Sequence, residues 1–187
     1  MSGSREPRRS GLGLILLAVG RADGFTHFGT DTDAFLASLA PLVAFSLVSA
    51  GLVALSGRVL AAAELFLLSL IGLLAPAVIA HPLCVRWQRL AYWPLYANIL
   101  NWSKLLFLMV LPLAFGLAAA VPMAGVVVAL ALFAYGFWFQ WFVARGALRL
   151  SRVRALLLLL ATQLGTNLLV LLPLLADSGD RAQIMGK

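Results

Sequence analysis

Long stretches almost free of charged side chains constrain this chain more than any other feature. They cover residues 34–56, 59–83, 96–121, 123–144 and 155–176, separated by short polar or basic segments. An α-helix rises about 1.5 Å per residue, so about 20 mostly apolar residues cross a hydrocarbon core about 30 Å thick. We therefore predict an all-α fold, a polytopic transmembrane helix bundle with five spans in residues 34–176.

The composition agrees with a membrane protein. Of the 187 residues, 63% are hydrophobic and 11% are charged, whereas soluble domains are about half apolar and about a quarter charged. In a soluble protein the formal net charge of +7 would suggest nucleic-acid binding. In a membrane protein, basic loops follow from topology and meet anionic headgroups. We expect a bilayer with anionic headgroups as a partner, and no nucleic acid.

The residues that usually bind metals are scarce. Cys84 is the one cysteine, so no intramolecular disulfide can form, and the chain has two histidines. One group could still meet around a metal: Asp23, His27, Asp31 and Asp33. Capping explains the same segment more simply, because Asp31, Thr32 or Asp33 would satisfy the free N–H groups of a helix beginning at Ala34. We expect no metal and no cofactor.

Residues 1–33 are predicted to form a cytoplasmic interfacial helix and a loop. Residues 11–19 are apolar but too short to span the membrane, and Arg8, Arg9 and Arg21 flank them at the level of the headgroups. The alternative is a cleaved signal peptide, because a basic segment and a short apolar run precede small residues at 18–20.

Residues 86–102 combine charge, proline, asparagine and an aromatic belt typical of a membrane interface: Tyr92, Trp93, Tyr96 and Trp102. We predict that Pro82 ends the second span near residue 83 and that Pro94 marks a break. The third span is then expected to begin near Tyr96 or Asn98.

Several polar side chains fall within the predicted spans, and these are the candidate site residues: Glu64, Asn98, Asn101, Gln140, Gln163 and Asn167. An intramembrane acid is a functional candidate, although Glu64 lies close enough to the span end to pair with Arg58. Four polar residues form a stripe on the fifth span: Thr162, Gln163, Thr166 and Asn167. We predict that this stripe turns inward and hydrogen-bonds to the third-span or fourth-span amides.

Basic residues concentrate on one predicted side of the membrane. The N-terminus and the second and third loops hold eleven of the 14 Lys and Arg, with Lys104 counted among them. Six arginines form the predicted basic face: Arg86, Arg89, Arg145, Arg149, Arg152 and Arg154. Of the third-loop arginines, Arg145, Arg149 and Arg152 are predicted to lie on one face of a helix that continues out of the membrane. The positive-inside rule then places the N-terminus in the cytoplasm and the short tail, residues 177–187, outside it.

Two segments, GRADGFTHFGTDTDAFLASLAP and RWQRLAYWPLYANILNWSKL, carry the motifs of a known family. Asp23-Gly24-Phe25 precedes an aromatic-containing first span, and Tyr96 with Asn101-Trp102 opens the third; Phe28, Phe35 and Ser38 match as well. In this respect the chain resembles the Yip-domain-like five-span proteins of bacterial inner membranes. It departs from them in the residues between Tyr96 and Asn101. The resemblance implies a five-helix fold without known catalysis and a membrane-organising or trafficking role.

The polar residues favour a non-catalytic function. Glu64 and His81 would lie near opposite ends of one helix, about 25 Å apart at 1.5 Å per residue, so they could not cooperate within a subunit. We expect a membrane-organising or accessory scaffold subunit with a membrane-protein partner or a second copy of the chain. The alternative is a transporter of a small solute or ion that uses polar residues of spans two, three and five.

Overall fold

The computed structural model describes residues 10–185, with side chains described for residues 10–171 except 113, 114, 117 and 122. The helices are α1 (Ser10–Ala18), α2 (Thr32–Leu55), α3 (Val59–Arg86), α4 (Trp93–Ala120), α5 (Pro122–Ala147) and α6 (Arg152–Met185). Two 3-10 turns, Ala22–His27 and Leu90–Tyr92, lie between them. The described part of the chain contains no strand.

Five helical segments are long and apolar enough to cross a membrane: Thr32–Leu55, Val59–Arg86, Leu90–Pro112, Met123–Ala147 and Arg152–Leu171. They follow the order of the five predicted spans. The prediction of an all-α bundle with five spans is therefore confirmed. Because successive spans are joined by short connections, the N-terminal segment shares one end of the bundle with the α3–α4 and α5–α6 connections.

The ends of α2 show how local sequence sets the helix boundaries. Asp31 Oδ1 accepts a hydrogen bond from the Ala34 N–H at 3.0 Å, and α2 begins at Thr32, slightly earlier than predicted. At the other end Gly57 has a φ of +82°, a left-handed conformation that glycine adopts without a Cβ penalty. The capping prediction is confirmed.

The connections at the shared end use left-handed residues that are not glycine. Gln88 and Arg149 have φ values of 56° and 51°, and in each turn the next N–H bonds to a carbonyl five residues earlier, at 2.8 and 3.1 Å. A left-handed residue with a Cβ costs about 1–2 kcal/mol. The Arg149 guanidinium lies 4.9 Å from the centre of the Tyr92 ring and so links the two turns.

Three predicted boundaries differ from the structure. Pro82 lies inside α3, which continues to Arg86. Pro94 marks no break, because it lies in the first turn of α4, where a missing N–H removes no helical hydrogen bond. The sixth helix continues to Met185 and does not end at residue 176 as predicted.

Helix α1 and the following 3-10 turn pack against each other and against the bundle. A Cβ atom added to Gly13 would lie 3.0 Å from the Gly24 carbonyl oxygen, and a Cβ atom added to Gly24 would lie 2.6 Å from the Gly13 carbonyl oxygen. The two backbones are therefore in direct contact. Leu17 is fully buried, whereas Val19 is 68% exposed. The segment predicted to be interfacial therefore buries one face in the protein and leaves the other exposed. Arg8 and Arg9 lie outside the described residues.

The apolar core lies at the end that carries α1. Fully buried members come from five helices and from the turn after α5, and they include Leu17, Cys84, Ile99, Val143, Leu148 and Leu158. At the opposite end Leu55, Leu60 and Met123 are 86%, 87% and 79% exposed. The bundle is therefore packed like a protein interior at one end and presents apolar side chains outward at the other.

Candidate functional site

Lys104 is a cation inside a membrane-spanning helix. The topological count placed it in a loop, but α4 begins at Trp93, so Lys104 lies about three turns into that helix. Its Nζ donates hydrogen bonds to the carbonyl oxygens of Gly72 and Leu73 in α3, at 3.2 and 2.7 Å. Counting Lys104 with the loop charges was wrong, and it is inconsistent with the predicted start of the third span near Tyr96 or Asn98, which comes before Lys104.

Pro76 explains why α3 offers these carbonyl oxygens. Proline has no N–H, and its ring displaces the carbonyl four residues earlier, which here belongs to Gly72. That oxygen has no donor from its own helix, and an unsatisfied carbonyl is costly in hydrocarbon. The Lys104 ammonium supplies the missing donor. Across the described residues, Lys104 has no carboxylate partner, so backbone dipoles hold its charge.

The two asparagines of α4 bond to α2 and its lead-in. Asn101 Nδ2 donates to Ser38 Oγ at 2.9 Å, and Ser38 Oγ donates to the Phe35 carbonyl at 2.6 Å. Asn98 Nδ2 donates to the Gly29 carbonyl at 3.1 Å. Both asparagines are 2% exposed. The Asn98 Oδ1 is buried without a hydrogen bond from any described residue.

Two aromatic side chains also satisfy carbonyl groups of neighbouring helices. Trp93 Nε1 donates to the Ala77 carbonyl of α3 at 2.9 Å, and its ring contacts His81 and Phe35. Tyr135 OH donates to the Ala18 carbonyl at the end of α1, at 2.8 Å. These bonds fix the positions of α3 and α1 relative to the α4–α5 hairpin.

The remaining candidates do not join this network. Glu64 is exposed and forms no ion pair with Arg58 in the described structure. Gln140 and Gln163 line a common groove of about 190 Å³ but form no hydrogen bond with each other, and Asn167 is exposed.

The predicted bonds from the fifth-span stripe to the other amides are therefore wrong. The α4 amides are out of reach because α6 packs on α3 and α5, whereas α4 packs on α2 and α5. Gln140 of α5 lies beside Gln163 in the groove, but no hydrogen bond joins the two side chains. Thr162 is buried and bonds within its own helix to the Leu159 carbonyl at 3.0 Å. The Thr166 Oγ1 is buried without a partner among the described residues.

Two of the three acids of residues 23–33 have local partners. Asp23 forms a 2.8 Å ion pair with Arg21, and Asp31 caps α2. Among the described residues no group of three or more His, Cys, Asp or Glu is placed to bind a metal ion.

The six arginines of the predicted basic face lie at the end that carries α1. Five are exposed and Arg89 is partly buried. The third-loop arginines do not share one helix face as predicted, because α5 ends at Ala147 and Arg149 lies in the turn before α6. The turn nevertheless keeps Arg145 and Arg152 at the same end of adjacent helices.

Comparisons with known proteins leave the family open. No family model matches the chain, and neither the curated proteins nor the solved structures contain a match. The resemblance to the Yip-domain-like proteins thus stays a prediction.

Sequence reasoning missed the roles of Lys104, Ser38, Trp93 and Tyr135. For Lys104 a signal was available: Pro76 leaves a carbonyl without a donor in one predicted span, and the next span contains a lone donor. Ser38, Trp93 and Tyr135 gave no comparable signal, since their acceptors are known only once the helices are placed.

The Asn101–Ser38 bond predicts a stability difference between two identical substitutions. Asn101→Leu should lower the free energy of unfolding in detergent by about 0.5–2 kcal/mol, the usual contribution of a hydrogen bond between membrane helices. Asn167→Leu is the matched control and should be neutral or stabilising, because that side chain is exposed within an apolar helix. Equal effects of the two substitutions would contradict a structural role for Asn101.

Proposed function

We propose that this chain is a non-catalytic integral membrane protein of a bacterial inner membrane, acting as a membrane-organising or accessory scaffold subunit. The observation that supports this function is the use of its interior polar groups. The donors of Lys104, Asn98 and Asn101 are directed at backbone or hydroxyl acceptors of neighbouring helices. Such bonds stabilise a fixed bundle.

The proposed partner is another membrane protein or a second copy of the chain, meeting the half of the bundle opposite α1. In that half, large apolar side chains such as Phe115 and Phe133 are 66% and 70% exposed. Two small residues of α2, Ser46 and Ala50, are already buried within the chain, so they are unavailable for this contact.

A transporter of a small solute or ion is the second candidate, and one observation favours it. Lys104 is an ionisable group inside a span and bonds to carbonyl groups of α3 close to Pro76, and carriers place ionisable groups near the bilayer midplane. Glu64 and Asn167, which the sequence also offered for this role, are exposed.

The proposed orientation has a cytoplasmic N-terminus. Without Lys104, basic residues still concentrate at the α1 end of the bundle, because both connections there are rich in arginine. The α2–α3 turn at the other end contains Arg58 alone.

A periplasm-active reporter should be active when fused after Lys187 and inactive when fused after Arg149. Fusion levels measured by immunoblot control for expression, and the reversed pattern of activity would contradict the orientation.

Purification together with a flux assay distinguishes the two functions. The full chain, extracted from its native membrane in mild detergent, should copurify with a stoichiometric membrane protein or as a defined homo-oligomer. In proteoliposomes containing a pH-sensitive dye, proton flux should stay at the level of protein-free vesicles for both the wild type and Lys104→Met. A flux above background that is lost in a folded Lys104→Met variant would replace the scaffold function by transport.

A further inference from the structure

A groove of about 470 Å³ lies between α5 and α6 at the basic end of the bundle. Its walls are mainly the aromatic rings of Phe137, Trp138 and Trp141 on α5, and Val153 and Leu156 on α6, with Arg152 at one end. Trp138, Val153 and Leu156 are 39%, 67% and 43% exposed, so the groove opens to the outside of the bundle. Its volume lies within the range of about 300–1,000 Å³ typical of small-molecule sites.

Two arginines lie beside this groove and are held there by Trp141. The Trp141 Nε1 donates to the Arg152 carbonyl oxygen at 3.2 Å, which fixes the start of α6 against α5. The Arg145 guanidinium lies 5.7 Å from the centre of the Trp141 ring. Both arginine side chains are exposed.

No described carboxylate neutralises these charges. Residues 122–171, which include all of α5 and the described side chains of α6, contain no Asp or Glu. In the described structure neither Arg145 nor Arg152 forms an ion pair. An apolar groove with two unpaired guanidinium groups at one end is complementary to an anionic amphiphile.

We propose that this groove binds an anionic phospholipid, with the phosphate at Arg145 and Arg152 and an acyl chain along Phe137 and Trp138. Guanidinium groups bind phosphate oxygens by paired, charge-assisted hydrogen bonds, and basic pockets between spans on the cytoplasmic side suit anionic headgroups. The apolar walls favour a lipid over free phosphate. This site is independent of the proposed scaffold function, because a transporter would present the same surface.

Native mass spectrometry of the full chain, released from a neutral detergent, tests the site with phosphatidylglycerol and phosphatidylcholine at equal concentrations. One phosphatidylglycerol per chain should be retained in preference to phosphatidylcholine. Arg152→Gln, at an exposed position, should weaken retention about fivefold, as expected for one arginine at a charged surface. Arg154→Gln is the matched control, since Arg154 lies two residues away and does not line the groove.

Ala134→Phe tests the acyl-chain part of the site separately, because Ala134 lines the groove and a phenyl ring there would fill it while leaving every arginine in place. It should abolish the preference for phosphatidylglycerol, and a thermal melt confirms that the variant is folded.

Four results would overturn the proposal. They are equal retention of the two lipids, equal effects of Arg152→Gln and Arg154→Gln, full displacement of the lipid by inorganic phosphate, and an Ala134→Phe variant that changes the oligomeric state but not lipid retention.

Discussion

A hydrocarbon core offers no water to backbone carbonyl groups, and this constraint explains most polar side chains between these helices. Pro76 creates the most demanding case, because it removes the helical donor of the Gly72 carbonyl in the middle of a span. Lys104 satisfies that carbonyl from α4. A proline in one helix and a lysine in the next thus form a single structural unit, although 28 positions separate them in the sequence.

The same type of bond recurs wherever an element must be held against the α4–α5 hairpin. Trp93 bonds to α3, Tyr135 to the end of α1, and Asn98 to the segment that leads into α2. All three acceptors are backbone carbonyl oxygens. These bonds lie mainly in the half of the molecule that also contains the apolar core and the arginine-rich turns. The half of the bundle at the α1 end is therefore the more densely packed and hydrogen-bonded one, and the opposite half presents apolar side chains outward.

Sequence patterns predicted the features that depend on neighbouring residues. The length of the apolar stretches predicted the five spans, and the Asp31 side chain predicted where α2 begins. The partners of the polar side chains were not predictable in this way, because they depend on which helices are adjacent. Gln163 was expected to meet the α4 amides or Gln140 of α5, yet α6 packs on α3 and α5 and not on α4, and Gln140 shares a groove with Gln163 without a hydrogen bond.

The predictions made from the charge of Lys104 and from Pro82 were wrong for a related reason. The charge count grouped Lys104 with the loops and the proline pattern predicted a helix end at Pro82, but Lys104 bonds to a neighbouring helix and Pro82 is accommodated inside α3. The contact of Lys104 depends on which helices are adjacent. Sequence patterns therefore described the spans well and their mutual contacts poorly.

The hydrogen bond from Lys104 to the Gly72 carbonyl, which Pro76 leaves without a helical donor, is most directly tested by a double-mutant cycle. The quantity measured is the free energy of unfolding in mixed detergent micelles. Lys104→Met in the wild-type background should cost about 1–3 kcal/mol, the range for leaving a buried acceptor unpaired. In a Pro76→Ala background the new alanine N–H can bond to the Gly72 carbonyl, so the same substitution should cost less than half as much. An equal cost in the two backgrounds would show that Lys104 does not act on the carbonyl freed by Pro76.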